Sequence, residues 1–286
     1  VHIGETMKYR IMVMAFFIST NLFGSSFFEG NGPTLPHGAE SSVTKKDFYS
    51  LFGKLEKLYK VEAKTAGKKL AISGRWSSKI VNAYAVQVIP GVMTVRVLGG
   101  IARHPLMTKD AFALVICHEV GHHFGGAPRK WERMNKWSSD EGQADYFATI
   151  QCLKRLWAND DNYQINESRL EKNESVNSLC SLNHIGRDHA LCVRTLYASY
   201  DVSKLVASAR HEDKIPGFDT PDPKIVTKTN QEHPGSQCRL DTMIAGAICS
   251  KNPEKFDPLD PNVGVCNVFA GDTIGNRPMC WYLPSM

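Results

Sequence analysis

Apolar positions along this chain recur at two spacings, and the alternation between them lays out its elements. Thr44-Lys45-Lys46-Asp47 has a capping-box-like pattern, and Phe48, Leu51, Phe52, Leu55, Leu58 and Tyr59 follow at helical spacing, which predicts a packing helix. Two stretches rich in valine and isoleucine, Val81 to Ile89 and Val92 to Leu98, flank Pro90-Gly91 and predict a hairpin. Thr108 is placed to cap a helix that runs through Ala111-Phe112-Ala113-Leu114-Val115-Ile116 and stops at Gly125-Gly126. That helix is apolar on most sides, so it is expected to be buried. Ser138 opens another, whose core face carries Tyr146, Phe147, Ile150, Leu153 and Trp157. Further helices are predicted from about Arg187 to Arg210 and from about Ser236 to Cys249, with a proline-rich loop from Ile215 to Lys228 before the second. The tail after Lys251 is expected to be irregular and bridged by cysteines.

The first residues follow a different pattern. Lys8 and Arg10 precede the apolar run Ile11 to Ile18, and Gly24-Ser25-Ser26 suits a small-x-small cleavage site. The run breaks at Ser19-Thr20-Asn21, short of the ~20 residues a spanning helix needs. Residues 1 to 26 are therefore expected to be a secretory signal peptide, with residues 1 to 6 a possible over-extension before Met7. No later segment is apolar enough to span a membrane, so no stable span is expected once the signal is removed. One domain is expected over residues 40 to 286, since 286 residues at 42% hydrophobic suffice for a single sizeable core.

Charge and cysteine content narrow the picture. The net charge of +5 is mild, and basic pairs such as Lys45-Lys46 and Lys68-Lys69 are interleaved with acids, so no nucleic-acid partner is expected. Eight cysteines in an exported chain predict disulfides and a periplasmic or extracellular location. A helix over Arg239 to Ile248 would hold Cys238 and Cys249 about 16 Å apart, so each is expected to bond elsewhere.

The chemistry centres on His118-Glu119-Val120-Gly121-His122. Two histidines one helical turn apart can reach one metal ion, and Glu119 falls beside them as a base for a water that zinc activates. One catalytic Zn2+ is expected. His123 fits no ligand spacing. A catalytic zinc takes a third protein ligand, for which Glu141 is the candidate, and Asp145, one turn on, is placed to hold a ligand histidine by its other ring nitrogen. The bland alternative makes Ser138-Ser139-Asp140-Glu141 a capping box only. Cys180, His184, His189 and Cys192 form a second soft-ligand group, either a structural zinc site or, as exported cysteines favour, a disulfide. Cys117 points to another face of the helix and is expected to be buried or bridged.

These residues resemble the HtpX-type and CAAX-prenyl-protease-like gluzincin metallopeptidases. The resemblance rests on His118 to His122, on Glu141-Gly142-Gln143-Ala144-Asp145 in the following helix, on Asn82-Ala83-Tyr84-Ala85 upstream, and on His233-Pro234 with Arg239 downstream. It implies an α+β, mainly α, zincin-like fold with a small antiparallel sheet, disulfide-containing in this chain. It also implies that Asn82, Ala83 and Tyr84 border the substrate cleft, that His233 stabilises the oxyanion, and that Arg239 organises the acidic residues around the metal. The multiple membrane spans of the family's integral members have no counterpart here, which leaves prenylated substrates without support and makes the chain resemble the soluble, exported branch. The expected activity is endoproteolysis of a protein or peptide that lies along Asn82 to Ala85 by β-addition. The alternative is a non-catalytic, zinc-binding envelope assembly or binding protein on the same fold.

Overall fold

The computed structural model describes residues 24–131, 136–251, 256–257 and 259–285. Residues 1 to 23 of the expected signal peptide lie outside the described residues. Gly24–Ser26, assigned from sequence to its end, form the first strand, β1. The elements that follow are α1 (Lys45–Leu58), α2 (Lys60–Thr65), β2 (Lys69–Arg75), β3 (Ala83–Val86), β4 (Val92–Leu98), α3 (Gly99–Arg103) and α4 (Lys109–Phe124). Next come α5 (Glu141–Phe147), a π-helical turn (Ala148–Cys152), α6 (Leu153–Leu156), α7 (Asn162–Glu167), α8 (Glu174–Ser181), α9 (Gly186–Ala209) and α10 (Ser236–Ile248).

The fold is α+β and mainly helical, with one four-stranded sheet in the order β1-β3-β4-β2. The expected hairpin is present, with Ala83 opposite Val97 and Val86 opposite Thr94 in antiparallel register. The sheet is mixed rather than antiparallel, because β2 runs parallel to β4 from Lys69 opposite Val92 to Arg75 opposite Leu98. In β2 only Leu70 and Ile72 are buried before Ser73-Gly74 interrupts the alternation, so its period-2 signal is too short to stand out. Gly74 is small for a reason: a Cβ there would stand 2.5 Å from the Phe48 ring of α1.

Capping follows the sequence at α1 and α4. Thr44 and Asp47 form a capping box, and the Thr108 hydroxyl accepts from the Ala111 amide at 3.1 Å. The Ser138 helix differs, for it starts at Glu141, with Asp140 at the cap position and no side-chain cap bond. The two serines serve the preceding loop instead: Ser139 donates to the Gly126 carbonyl at 2.7 Å, and Ser138 Oγ lies 3.2 Å from His122 Nδ1. Every residue of α4 from Ala111 to His123 is buried, as its apolar circumference requires. It packs against the sheet, α5, α9 and the π-helical turn, and so holds the centre of the molecule.

Four disulfides complete the framework: Cys117–Cys152, Cys180–Cys192, Cys238–Cys280 and Cys249–Cys266. Cys238 and Cys249 bond apart, across the tail. Among the described residues, no helix is long and apolar enough to cross a membrane.

Candidate metal centre

Three elements converge on one buried point. The last two turns of α4 carry His118, Glu119 and His122, α5 opens with Glu141 and continues to Asp145, and α10 carries Arg239, with His233 in the loop before it. Gly121 lets the first two elements touch, since a Cβ there would lie 3.0 Å from the Ala144 carbonyl oxygen and from the Phe147 ring. The glycine inside the histidine motif is thus a packing residue.

Both histidines are held by one ring nitrogen and free at the other. His118 Nδ1 lies 2.7 Å from Asp145 Oδ1, and His122 Nδ1 lies 2.9 Å from the Ser139 carbonyl oxygen. These partners fix the Nδ1–H tautomer and turn each Nε2 lone pair toward Glu141. Glu141 Oε2 stands 3.3 Å from His118 Nε2 and 3.4 Å from His122 Nε2, while its Oε1 accepts from Lys130 Nζ at 2.9 Å. Asp145 in turn accepts from Arg239 Nε and Nη2, both at 2.8 Å.

The residues fit a zinc ion. His118 Nε2, His122 Nε2, Glu141 Oε2 and both Glu119 oxygens are buried without a hydrogen-bond partner. Leaving a buried polar atom unpaired costs about 1 to 3 kcal/mol, so a cluster of them needs an occupant. Ligand atoms about 2.0 to 2.1 Å from a tetrahedral zinc stand about 3.3 Å from one another, which matches the separations from Glu141 Oε2. Two imidazoles and a carboxylate are also a donor set that catalytic zinc uses.

Burial opposes every charge in this centre, and local pairing decides which charges survive. Burial would raise Asp145, but Arg239 and His118 hold it below its ordinary value, and Glu141 is held well below by His233, Lys130 and His122 against the same penalty. Burial disfavours the His118 cation, but Asp145 outweighs it and raises the metal-free group to about 9, so an ion bound at Nε2 would displace a proton. Burial lowers His122 and His233. Glu119 is pushed up to about 8 by burial, which the His118 charge opposes and the Glu141 charge reinforces.

The strand residues Asn82, Ala83 and Tyr84 flank this centre, but their outer edge is occupied. β1 pairs antiparallel with β3, setting Ser26 opposite Tyr84, and the Phe27 amide donates to the Ala83 carbonyl at 3.0 Å. Asn82 is fully buried; its Oδ1 accepts from the Phe28 amide at 3.0 Å and its Nδ2 donates to the Phe28 carbonyl at 3.1 Å. His233 Nε2 donates to the Ser26 carbonyl at 2.6 Å and lies 3.3 Å from Glu141 Oε2.

Other candidates lie elsewhere. His123 stacks on Trp137 with Nε2 3.1 Å from the Thr94 carbonyl oxygen, and burial lowers it to about 3. Cys180 and Cys192 form a disulfide, which removes both soft ligands of the alternative zinc site, and His184 Nε2 lies 3.0 Å from the Ala247 carbonyl oxygen. Three participants escaped the sequence reading: Lys130 on Glu141, the Ser139 carbonyl on His122, and Phe27, whose ring lies 5.3 Å from that of His118 and 4.5 Å from the Arg239 guanidinium. Each acts across a loop, where spacing carries no signal. The chain matches no family model, no curated protein and no solved structure.

Proposed function

We propose that this chain is a zinc-dependent endopeptidase of the gluzincin type, exported to an oxidising compartment, that hydrolyses peptide bonds in a protein or peptide substrate. The observation that carries the proposal is the convergence of His118 Nε2, His122 Nε2 and Glu141 Oε2, unpartnered and buried, beside the unpartnered carboxylate of Glu119. Four disulfides support export, because such bridges persist where thiols are oxidised.

His118, His122 and Glu141 would hold the ion. When bound, zinc supplies a Lewis acid that polarises the scissile carbonyl and makes water acidic enough to deprotonate near neutral pH. Glu119 takes that proton on its carboxylate and delivers it to the departing amide nitrogen. His233 Nε2–H donates to the carbonyl oxygen as negative charge grows on it. Asp145, itself anchored by Arg239, keeps His118 in the tautomer that presents Nε2. The Ala83 carbonyl and Asn82 Oδ1, which here accept from the Phe27 and Phe28 amides, would accept from the backbone of an extended peptide that displaces them.

The test is hydrolysis of a peptide library by purified protein of measured zinc content, with and without chelator. We expect about one zinc per chain and chelator-sensitive cleavage, and Glu119→Gln should keep the zinc but lose about 10² to 10⁴ in rate. Zinc bound with no turnover on any unfolded protein or peptide would point instead to a non-catalytic binding protein.

A further inference from the structure

Gly24 to Phe28 lies in this centre as a substrate would. Gly24 to Ser26 run antiparallel along β3, and the bend that follows gives its Phe27 and Phe28 amides to the Ala83 carbonyl and Asn82 Oδ1 at 3.0 Å each. The Ser26 carbonyl accepts at 2.6 Å from His233 Nε2, which in turn lies 3.3 Å from the ligand oxygen Glu141 Oε2. The next residue, Phe27, is fully buried, with its ring edge-on to His118 and under Arg239, and Arg239 Nη1 donates to the Phe27 carbonyl at 3.4 Å. A strand needed only to complete the sheet has no reason to give one carbonyl to the loop histidine and the following backbone to the arginine behind the metal ligands.

We propose that residues Gly24 to Phe28 occupy the substrate cleft in cis, in a chain whose signal is cleaved before Gly24 rather than after Ser26, and that they stand in for an extended peptide with a small residue at the scissile carbonyl and a large apolar residue directly after it. The proposal rests on the peptidase reading for the word scissile, and on geometry alone for occupancy. The pocket that receives Phe27 then sets the preference. His118 and Arg239 line it, so an aromatic ring gains a cation–π contact there that a polar side chain lacks. The tether makes the occupant hard to displace, because a short connection holds it at an effective concentration in the millimolar range, of order ~1 mM. Glu29 supports the hold at the segment's end, pairing with Arg210 at 2.8 Å, and Arg210 also binds the His233 and Pro234 carbonyls.

Two substitutions in the full chain loosen the segment differently. Phe27→Ala removes its anchor. Gly24→Val crowds its start, where a Cβ would stand 2.5 Å from Cγ1 of the buried Val86 and 2.7 Å from the Ala85 oxygen. Each is made in zinc-loaded protein with Glu119 intact, and again with Glu119→Gln, in which fluorescein-labelled Gly-Ser-Ser-Phe-Phe and Gly-Ser-Ser-Ala-Phe report binding by anisotropy. We expect at least one folded variant to bind the first peptide ten-fold or more tightly than the parent does, to prefer it over the second, and to cleave the library correspondingly faster. Binding gained without cleavage keeps the occupancy and sinks the peptidase reading. Cleavage by parent and variants at one rate, with no gain in peptide binding, overturns the occupancy and leaves the peptidase reading standing. If Phe27 is merely core, Phe27→Ala lowers stability and activity together and Gly24→Val changes neither.

Discussion

Asp145 Oδ1 lies 2.7 Å from His118 Nδ1, with both side chains fully buried. The pair sets the imidazole's tautomer, so in the proposed zinc centre the carboxylate would govern the metal without touching it. Asp145→Asn is expected to lower zinc affinity about 10- to 100-fold, read by competition with a chelator of known affinity. An unchanged affinity in the folded variant would remove Asp145 from the centre. Unfolding curves on the same sample separate this from the penalty of leaving Arg239 buried without its partner.

His233 approaches the centre from a loop, and the proposed function gives it a role distinct from binding the ion. His233→Ala is expected to cut kcat by about 10² to 10³ while zinc content stays unchanged. A loss of zinc equal to the loss of rate would make it a ligand instead.

Gly142 follows Glu141 and faces Trp281. A Cβ there would stand 2.3 Å from the Trp281 ring, which is fully buried and follows the bridged Cys280 in sequence, so it has little room to yield. Gly142→Ala should destabilise by about 1 to 3 kcal/mol through overpacking. Gly53, inside α1, meets nothing within 4 Å, so Gly53→Ala should raise the melting temperature, by about 0.5 to 1 kcal/mol of helix propensity. A melting temperature for Gly142→Ala at or above the parent's would contradict the packing described around Trp281, and one for Gly53→Ala below it would contradict the open space at Gly53.

Lys154 donates to the Cys249 carbonyl at 2.7 Å, and burial lowers it to about 8, with Asp188 working weakly the other way. An unfolded lysine titrates near ~10.4, so from about pH 8 to about pH 10 the unfolded chain binds more protons and stability rises with pH. Denaturant unfolding of the parent and Lys154→Met should therefore diverge in the parent's favour between pH 7.5 and 10, in roughly the manner linkage requires. A constant difference would mean that Lys154 keeps its ordinary value.

Much of the centre was legible because it is helical. His118 with His122, and Glu141 with Asp145, are each four positions apart, and that spacing on one face carries through to shared space. The sheet was less so. β2 loses its alternation at Ser73-Gly74, and β1 is made of small residues that equally suit a processing site, so neither announced itself. Lys130 and the Ser139 carbonyl reach their partners from the segment joining α4 to α5, where no periodicity exists to be read. Ser138 looked like a helix cap because its type and position fit one, but its hydroxyl faces His122 and the Ser25 hydroxyl instead.

The bridge from Cys117 to Cys152 fastens the residue next to His118 to the π-helical turn that continues from α5. It ties the two ligand-bearing helices directly, while Cys238–Cys280 anchors the helix of Arg239 to the tail that holds Trp281 against Gly142. The consequence is one of timing. On the proposed reading, a chain whose cysteines are still reduced possesses every candidate ligand but not the covalent frame that sets their distances, so cross-linking would come first and metal capture second. The compartment that oxidises the cysteines would then also decide where such a centre matures.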